Sequence, residues 1–349
     1  MNDVTEALIE AVADACERYP STTEAGGDTV WNLALWGALD QIGVTLLSVP
    51  ETTGGSGGDL QMAVAVLEVL GQHSAAVPYA ETALQAAWML AECGGPIPPG
   101  PLAAAVAGSA VSMVENSDSW VLNGTLRRVP WARHAEHIIV LIGGRIVTIR
   151  RGDVTIAQGT NMAGEPRDDV LLQHITVAAD CVRDVPEASV VSESTFNARG
   201  ALARAAMIAG AARRALELSV QYAAQRQQFG RTVNAFQAVQ QQMASMAGEV
   251  LLCKIAAGAA ALSLDTDSAG TVAVAAAKTS TAQSAGTVAR IAHQVHGAIG
   301  FTDEHLLRLS TTRLWAWREE AGSETQWARE LGALSLATGA DGLWPALVD

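Results

Sequence analysis

Arg226-Gln227-Gln228-Phe229-Gly230-Arg231-Thr232-Val233-Asn234-Ala235-Phe236-Gln237 separates two long helical patterns, and the rest of the chain can be read outward from it. Phe229-Gly230 breaks the run that precedes it, and a second helix is expected to enter at Asn234, a residue type that caps helix starts. Farther on, Gln294-Val295-His296-Gly297-Ala298-Ile299-Gly300-Phe301 makes another glycine-bearing break. An arginine at a helix end beside such turns suits an anionic, planar ligand. Its guanidinium can fork onto paired phosphate oxygens, a helix start offers unpaired N–H groups, and glycine lets backbone come close.

The residues after Pro186 keep a helical period, with segments near 195–228, 234–264, 268–296, 304–318 and 324–338. Alanine and other small residues dominate their faces, which predicts long helices packed as a bundle or across a subunit interface. Between 102 and 185 the period falls to two. Runs at 103–107, 110–114, 120–122, 137–141, 145–149, 154–157 and 170–178 predict strands of a small antiparallel barrel or sandwich, with Asn123-Gly124 and Gly143-Gly144 as hairpin turns. Helices are expected at 3–20, 30–42, 60–71 and 81–93. The stretch Gly94-Gly95-Pro96-Ile97-Pro98-Pro99-Gly100-Pro101 cannot continue a helix and marks a boundary. The expected fold is α+β in three domains: an all-helical 1–100, a β domain 101–186 and a helical bundle 187–349.

Composition narrows the function classes. At 349 residues and 49% apolar, the chain reads as globular. With 36 acidic against 22 basic residues and a net charge of −14, nucleic acid and anionic membrane are poor partners, so an anionic ligand must be held by local arginines. Cys16, Cys93, Cys181 and Cys253 form no Cys-x-x-Cys pair and read as buried free thiols of a reducing compartment. The N-terminus has no basic and apolar leader pattern, and the alanine-rich run Ile255–Leu262 is too short to span a bilayer, so a cytoplasmic protein is expected. The loop from Pro50 to Asp59 must take positive φ angles and ends on Asp59 as a helix cap; it lacks the lysine of a phosphate loop. His134 with His137, and His293 with His296, have no third ligand at metal-site spacing. Trp315, Trp317 and Trp327 are expected in the bundle core, and Arg199, Arg204, Arg213 and Arg214 on solvated helix faces.

The order of helical domain, β domain and helical bundle resembles the acyl-CoA dehydrogenase family of flavoproteins over nearly the whole chain. Val49-Pro50-Glu51-Thr52-Thr53-Gly54-Gly55-Ser56-Gly57 resembles that family's Pro-Glu-x-x-Gly-Gly-x-Gly loop. Arg226-Gln227-Gln228-Phe229-Gly230 with Phe236-Gln237 resembles its Arg-x-x-Phe-Gly and Phe-Gln elements, and Gln294 to Phe301 its Gln-x-x-Gly-Gly-x-Gly-Phe. The resemblance implies α,β-desaturation of an acyl-CoA thioester, FAD as hydride acceptor and an electron-transfer flavoprotein as re-oxidant. In the family the FAD spans two subunits, the ring on one chain and the ADP half on these motifs of its neighbour. Carried over, Arg226, Gln228 and Phe229 are cofactor residues, the first two at the pyrophosphate. Phe236, Gln237, Gln294, Gly297 and Ala298 then line the adenosine side.

The family's proton-abstracting glutamate does not carry over. Counted without gaps from Gln294, its usual position is Ala321, followed by Gly322-Ser323; the alternative position on the first long bundle helix is Gly200. Glu319 and Glu320 adjoin the former, which leaves Glu320 as the candidate base. The ring-facing segments also depart. Val114-Glu115-Asn116-Ser117-Asp118-Ser119 stands for a longer family loop, and in Asn123-Gly124-Thr125-Leu126-Arg127-Arg128-Val129-Pro130 the family's Trp and Thr become Arg128 and Pro130, proline having no donor. The pattern resembles the smaller, catalytically reduced subunit of heteromeric acyl-CoA dehydrogenases, which pair two larger with two smaller chains, notably in actinobacterial sterol catabolism. Two other readings stay open: an active homo-oligomer using Glu320, and a flavin-free scaffold.

Overall fold

The computed structural model describes residues 3–22, 28–266 and 271–348. In chain order the elements are α1 (Asp3–Arg18), α2 (Leu33–Ile42), α3 (Leu60–Gln72), a π-helical stretch Ala80–Ala87 and α4 (Trp88–Glu92). Strands β1 (Leu102–Val106), β2 (Val111–Asn116), β3 (Ser119–Pro130), β4 (His137–Ile142), β5 (Arg145–Arg150), β6 (Thr155–Ala157), β7 (Arg167–Ala178) and β8 (Val182–Asp184) follow. Then come α5 (Glu193–Gln225), the two-residue strands β9 (Gln227–Gln228) and β10 (Arg231–Thr232), α6 (Gln237–Thr266), α7 (Thr271–His296), α8 (Leu307–Arg318) and α9 (Glu324–Val348). Two compact units result, one from Ser21–Ala63 with Ala76–Gly200, the other from Met1–Pro20, Val64–Ala75 and Ala201–Asp349.

The first unit holds two four-stranded sheets, in the orders β1-β4-β5-β8 and β2-β3-β7-β6. Period-two alternation decides what each face does. Ala103, Ala105, Ile138, Val140, Val147 and Ile149 of the first sheet meet Leu122, Leu126, Val170 and Leu172 of the second in one core. The alternate residues Ala104, Ile139, Leu141 and Ile146 pack on Trp88, Leu90 and Phe196. Gly143 and Gly144, at φ 54 and 76, make the expected β4–β5 hairpin. Asn123-Gly124 does not make a turn. It lies inside β3 opposite Ser112 and Val111, where the register slips and Gly124 takes φ 134. A Cβ there would run into the Ala110 carbonyl, so the glycine serves a close backbone approach, and the reversal falls at Ser117 (φ 50). β1 pairs with β4 in parallel, against the antiparallel expectation. The chain crosses into the second sheet before returning as β4, so no hairpin fixes its direction.

Local rules account for the helix ends. The Asn32 side chain accepts from Leu35 N–H at 3.0 Å, Asp59 caps α3 through Met62 N–H at 2.7 Å, and Gly43 closes α2 at φ 85. The expected helix at 81–93 begins as a π-helix. Arg199 Nε donates to the Leu84 carbonyl at 2.6 Å and its guanidinium lies 4.5 Å from the Trp88 ring, so a buried arginine serves the widened turn. It is not on a solvated face.

In the second unit α3 and α5 cross at glycines. A Cβ on Gly210 would sit within the Glu68 carbonyl, and one on Gly71 within that of Met207. Gly210→Ala should therefore destabilise by ~1–3 kcal/mol despite alanine's better helix propensity, read as a lower denaturation midpoint with an unchanged slope. From Gln237 to Asp265, α6 is long and apolar enough to cross a bilayer by length and composition alone, which the Ile255–Leu262 run is not. One side packs Cys253, Ala257, Ala260 and Ala261 inward, while Leu251, Leu252, Ile255 and Leu262 remain 46 to 59% exposed. Of the thiols, Cys16 and Cys253 are buried and pushed up to about 12 by burial; Cys93 and Cys181 are only half-buried, contrary to expectation.

Candidate functional site

The last turn of α5 closes with Arg226 N–H on the Tyr222 carbonyl at 2.8 Å, and Val233 N–H returns to the Arg226 carbonyl at 2.8 Å. Between them β9 and β10 pair as a miniature hairpin, Gln228 opposite Arg231. Its turn residues Phe229 and Gly230 have φ 52 and 78, the paired positive values of a type I′ turn. Glycine adopts this without cost, whereas a phenylalanine there is strained, and its ring is 92% exposed. The next helix begins at Gln237, later than the Asn234 expected, because residues 233–235 form a single 3-10 turn. Asn234 instead receives the Thr232 hydroxyl at 2.6 Å and the Gln240 amide at 3.0 Å. Arg231 lies 4.0 Å over the Phe236 ring, and the Gln228 amide, with its oxygen toward Arg226, accepts from Nε and Nη2 at 3.2 and 2.8 Å.

The second segment is joined to the first by rings. α7 ends at His296, which stacks on Tyr222 with centroids 4.5 Å apart, one turn before Arg226. A 3-10 turn Gly297–Phe301 follows, with Gly297 at φ 66 and nothing within 4 Å of where its Cβ would be. Gln294, Gly297 and Ala298 face solvent, as do Arg226, Gln228, Phe229 and Gln237, with Phe236 half-buried. A cleft of about 360 Å³ beside Gln294 is lined by Gly286, Arg290, His293, Phe301 and Trp315. His293 is sandwiched there, 3.9 Å from Phe301 and 5.5 Å from Trp315. An oriented, open guanidinium and a glycine turn with free space above it fit the phosphate and sugar portion of a dinucleotide.

The base positions are built differently. Ala321 and Gly322 form a left-handed turn, φ 52 and 90, and Trp327 covers it, donating Nε1–H to the Ala321 carbonyl at 2.8 Å. Glu320 pairs with Arg204 at 3.0 Å, the side chains 13% and 7% exposed. Arg204 is thus buried and engaged, not solvated. Beneath the turn Lys278, fully buried, donates to the carbonyls of Trp317 and Arg318 at 3.0 and 2.8 Å. Burial first, and then Arg204, brings its pKa from 10.5 to about 7, against the pull of Glu320 and Glu319. A carboxylate fixed on a buried guanidinium spends its lone pairs on that partner. Nothing in the residue pattern identified this cluster except Lys278 itself, a lone charge closing the apolar run Val272 to Ala277.

In the β-sheet unit, Gly200 is buried next to Arg199. Arg128, at φ 52, donates its N–H to Asp169 at 2.8 Å, and this bond, with Arg127, holds the Asp169 carboxyl below its ordinary value. Pro130 ends β3, and Trp131 beyond it is buried among Trp31 and His134, centroids 6.1 Å away. Arg133 pairs with the buried Asp168 at 2.6 Å. These contacts supply neither a hydroxyl nor a free N–H at the Arg128 and Pro130 positions. Among the described residues no group of three or more His, Cys, Asp or Glu could hold a metal ion.

Comparison with known proteins agrees with the geometry. Family models described as the acyl-CoA dehydrogenase N-terminal and C-terminal domains match residues 2–96 and 190–324. Acyl-CoA dehydrogenase IpdE2 of Mycolicibacterium smegmatis is 29% identical over 340 residues, 95% of this chain and 99% of the relative. Among solved structures, the ChsE4-ChsE5 complex of Mycobacterium tuberculosis superimposes with TM-score 0.84 at 23% identity, covering 97% of this chain and 98% of that one. A Tcur3481-Tcur3483 steroid ACAD gives 0.82 at 22%, covering 97% and 99%. With both terminal domains matched and the motif residues gathered at the ends of α5 and α7, the chain belongs to the acyl-CoA dehydrogenase family.

Proposed function

We propose that this chain is the catalytically reduced subunit of a heteromeric acyl-CoA dehydrogenase, completing the FAD site of a second, catalytic subunit. One observation carries the reading: Arg226, Gln228, Phe229, Gln237, Gln294, Gly297 and Ala298 all face outward, while the base positions hold Ala321 and Gly200. In such an assembly the bound FAD accepts the hydride that leaves the acyl β-carbon. Arg226, oriented by Gln228, would neutralise the pyrophosphate, and Phe236, Gln237, Gln294, Gly297 and Ala298 would line the adenosine side. Proton abstraction from the α-carbon falls to a carboxylate of the partner, since Glu320 is committed to Arg204.

The exposed apolar face of α6 supports the same reading. Leu251, Leu252, Ile255 and Leu262 run along the helix that starts at Phe236-Gln237, so a chain whose cofactor reaches that motif could cover them. The ChsE4-ChsE5 complex supports a two-chain assembly, the Tcur3481-Tcur3483 steroid ACAD suggests a bulky, steroid-like acyl-CoA as substrate class, and family likeness suggests an electron-transfer flavoprotein as re-oxidant. A cytoplasmic location fits the unpaired thiols.

The test is to purify the chain alone and together with each glutamate-bearing acyl-CoA dehydrogenase of the same organism. Colourless, inactive protein alone and a yellow, active complex is the expected result. Yellow, active protein from the chain alone would replace this reading with a homo-oligomer using Glu320. Absence of flavin from both preparations would favour a scaffold.

A further inference from the structure

Three histidines surround the turn that carries Gly297 and Ala298, two of them buried, and the third, His305, makes a hydrogen bond that requires a neutral ring. His296 is 3% exposed; its Nδ1–H donates to the Ala292 carbonyl at 2.8 Å, and the Leu218 carbonyl also lies near the ring. His305 receives the Leu307 N–H on Nδ1 at 3.1 Å, serving as a cap at the start of α8. For His293 the tautomer follows from its neighbour. The Thr311 hydroxyl hydrogen is used on the Leu307 carbonyl at 3.2 Å, so His293 Nε2–H donates to Thr311 Oγ1 at 3.0 Å. His293 Nδ1 is then an enclosed, unpaired acceptor.

The rings also connect the two cofactor segments. His296 lies face to face with Tyr222 at 4.5 Å and edge-on to His305 at 4.6 Å, while Tyr222 meets the His305 edge at 6.2 Å. Tyr222 in turn accepts the Arg226 N–H on its carbonyl. The 297–301 turn closes tightly over this group: a Cβ on Gly300 would lie 3.0 Å from His296 Cβ and 3.2 Å from His293 Nδ1. Anything that moves His296 therefore moves the Gly297 turn relative to Arg226.

We propose that His293, His296 and His305 form an acid-sensitive clasp that holds the Arg226 hairpin and the Gly297 turn in register, so that acidification releases the FAD half held by this chain. The proposal rests on the cofactor role assigned above to these two segments. All three rings have pKa values below the ordinary histidine value, each through burial first. For His296 the neighbouring His305 and His293 add to the depression, while the carbonyls of Ala292 and Leu218 oppose it; on α5 the titratable group against the ring is Tyr222. Between the depressed value and ~6.5 the opened form binds more protons than the clasped one, so the clasp weakens as pH falls through that window. Proton gain would also put a second N–H on His293 where no acceptor waits, and would cost α8 its cap on His305.

The test compares FAD retention by the assembled complex at about pH 7.5 and about pH 5.5, either side of the ordinary histidine value. Wild type should bind FAD at least ~10-fold more weakly at the lower pH, and a variant carrying His293→Gln, His296→Phe and His305→Asn should lose most of that dependence. These replacements keep, respectively, a donor to Thr311, a ring on Tyr222 and an acceptor for Leu307 N–H, and none can take up a proton near neutral pH. Amide hydrogen exchange on the chain alone, without FAD, is the companion measurement. With intrinsic exchange rates divided out, residues 226–236 and 297–301 should show lower protection factors at the lower pH in wild type and not in the variant. Protection factors that ignore pH in wild type, or that depend on pH as strongly in the variant, overturn the clasp. Failure of the cofactor assignment is recognised separately, by Arg226→Ala leaving FAD content unchanged at the higher pH.

Discussion

Arg226→Ala in the assembled enzyme is expected to weaken FAD binding by about tenfold to about a hundredfold, with the fold of the subunit unchanged. The guanidinium is exposed and takes part in no core packing, so truncation should remove a ligand contact without a stability penalty. A hydrogen bond to a charged group is worth ~1.5–3 kcal/mol, and ~1.4 kcal/mol is a factor of ten in binding. Gln228 fixes the fork by accepting from Nε and Nη2, so Gln228→Ala should produce a smaller loss of ~0.5–1.5 kcal/mol by freeing the arginine to rotate. Arg226→Lys should recover only part of the affinity, because an ammonium keeps the charge and loses the paired donors. Titration of FAD into the stripped complex measures all three. Equal affinity for wild type and Arg226→Ala would place the arginine away from the cofactor.

The features that can be read from the sequence here are those carried by one residue type at one place. Phe229-Gly230 announces a break because helices do not continue through it, and the unbroken apolar run of β4, Ile138 to Ile142, announces a strand buried on both faces. The features that cannot be read are settled by distant partners. Asn123-Gly124 carries the strongest turn pattern in the chain, yet Gly124 is needed to let the Ala110 carbonyl pass. Glu320 looks available beside the expected base position, and only folding brings Arg204 to within 3.0 Å of it. The tautomers of His293, His296 and His305 depend on a hydroxyl and backbone groups that no spacing rule supplies. Exposure is equally invisible in α6, where Leu251 and Ile255 face out and Cys253 faces in on a helix that is apolar on both sides.

Glu320→Ala should destabilise the subunit by ~3–5 kcal/mol, because it leaves the Arg204 guanidinium, 7% exposed, in a site that also holds Lys278. Replacing both partners, Arg204→Met with Glu320→Leu, should restore much of the loss, since neither charge is then buried. The two variants separate a structural carboxylate from a catalytic one. If the base belongs to the partner, Glu320→Gln in the folded complex should turn over nearly as wild type; a drop of ~10² to 10⁴-fold would make Glu320 the general base. Lys278 gives the cluster a pH signature. With its pKa near 7 in the fold and 10.5 outside it, the unfolded chain binds the extra proton between those values. Stability should therefore rise with pH across that window by up to ~1.4 kcal/mol per pH unit, and Lys278→Met should abolish that component of the slope. Glu320→Ala removes the nearest charge that favours protonated Lys278, so it should lower the lysine pKa further and extend the window downward. A slope unaltered by Glu320→Ala would mean that the carboxylate does not act on Lys278, and the turn at Ala321 would then rest on the Lys278 bonds to Trp317 and Arg318 and on the Trp327 bond to Ala321.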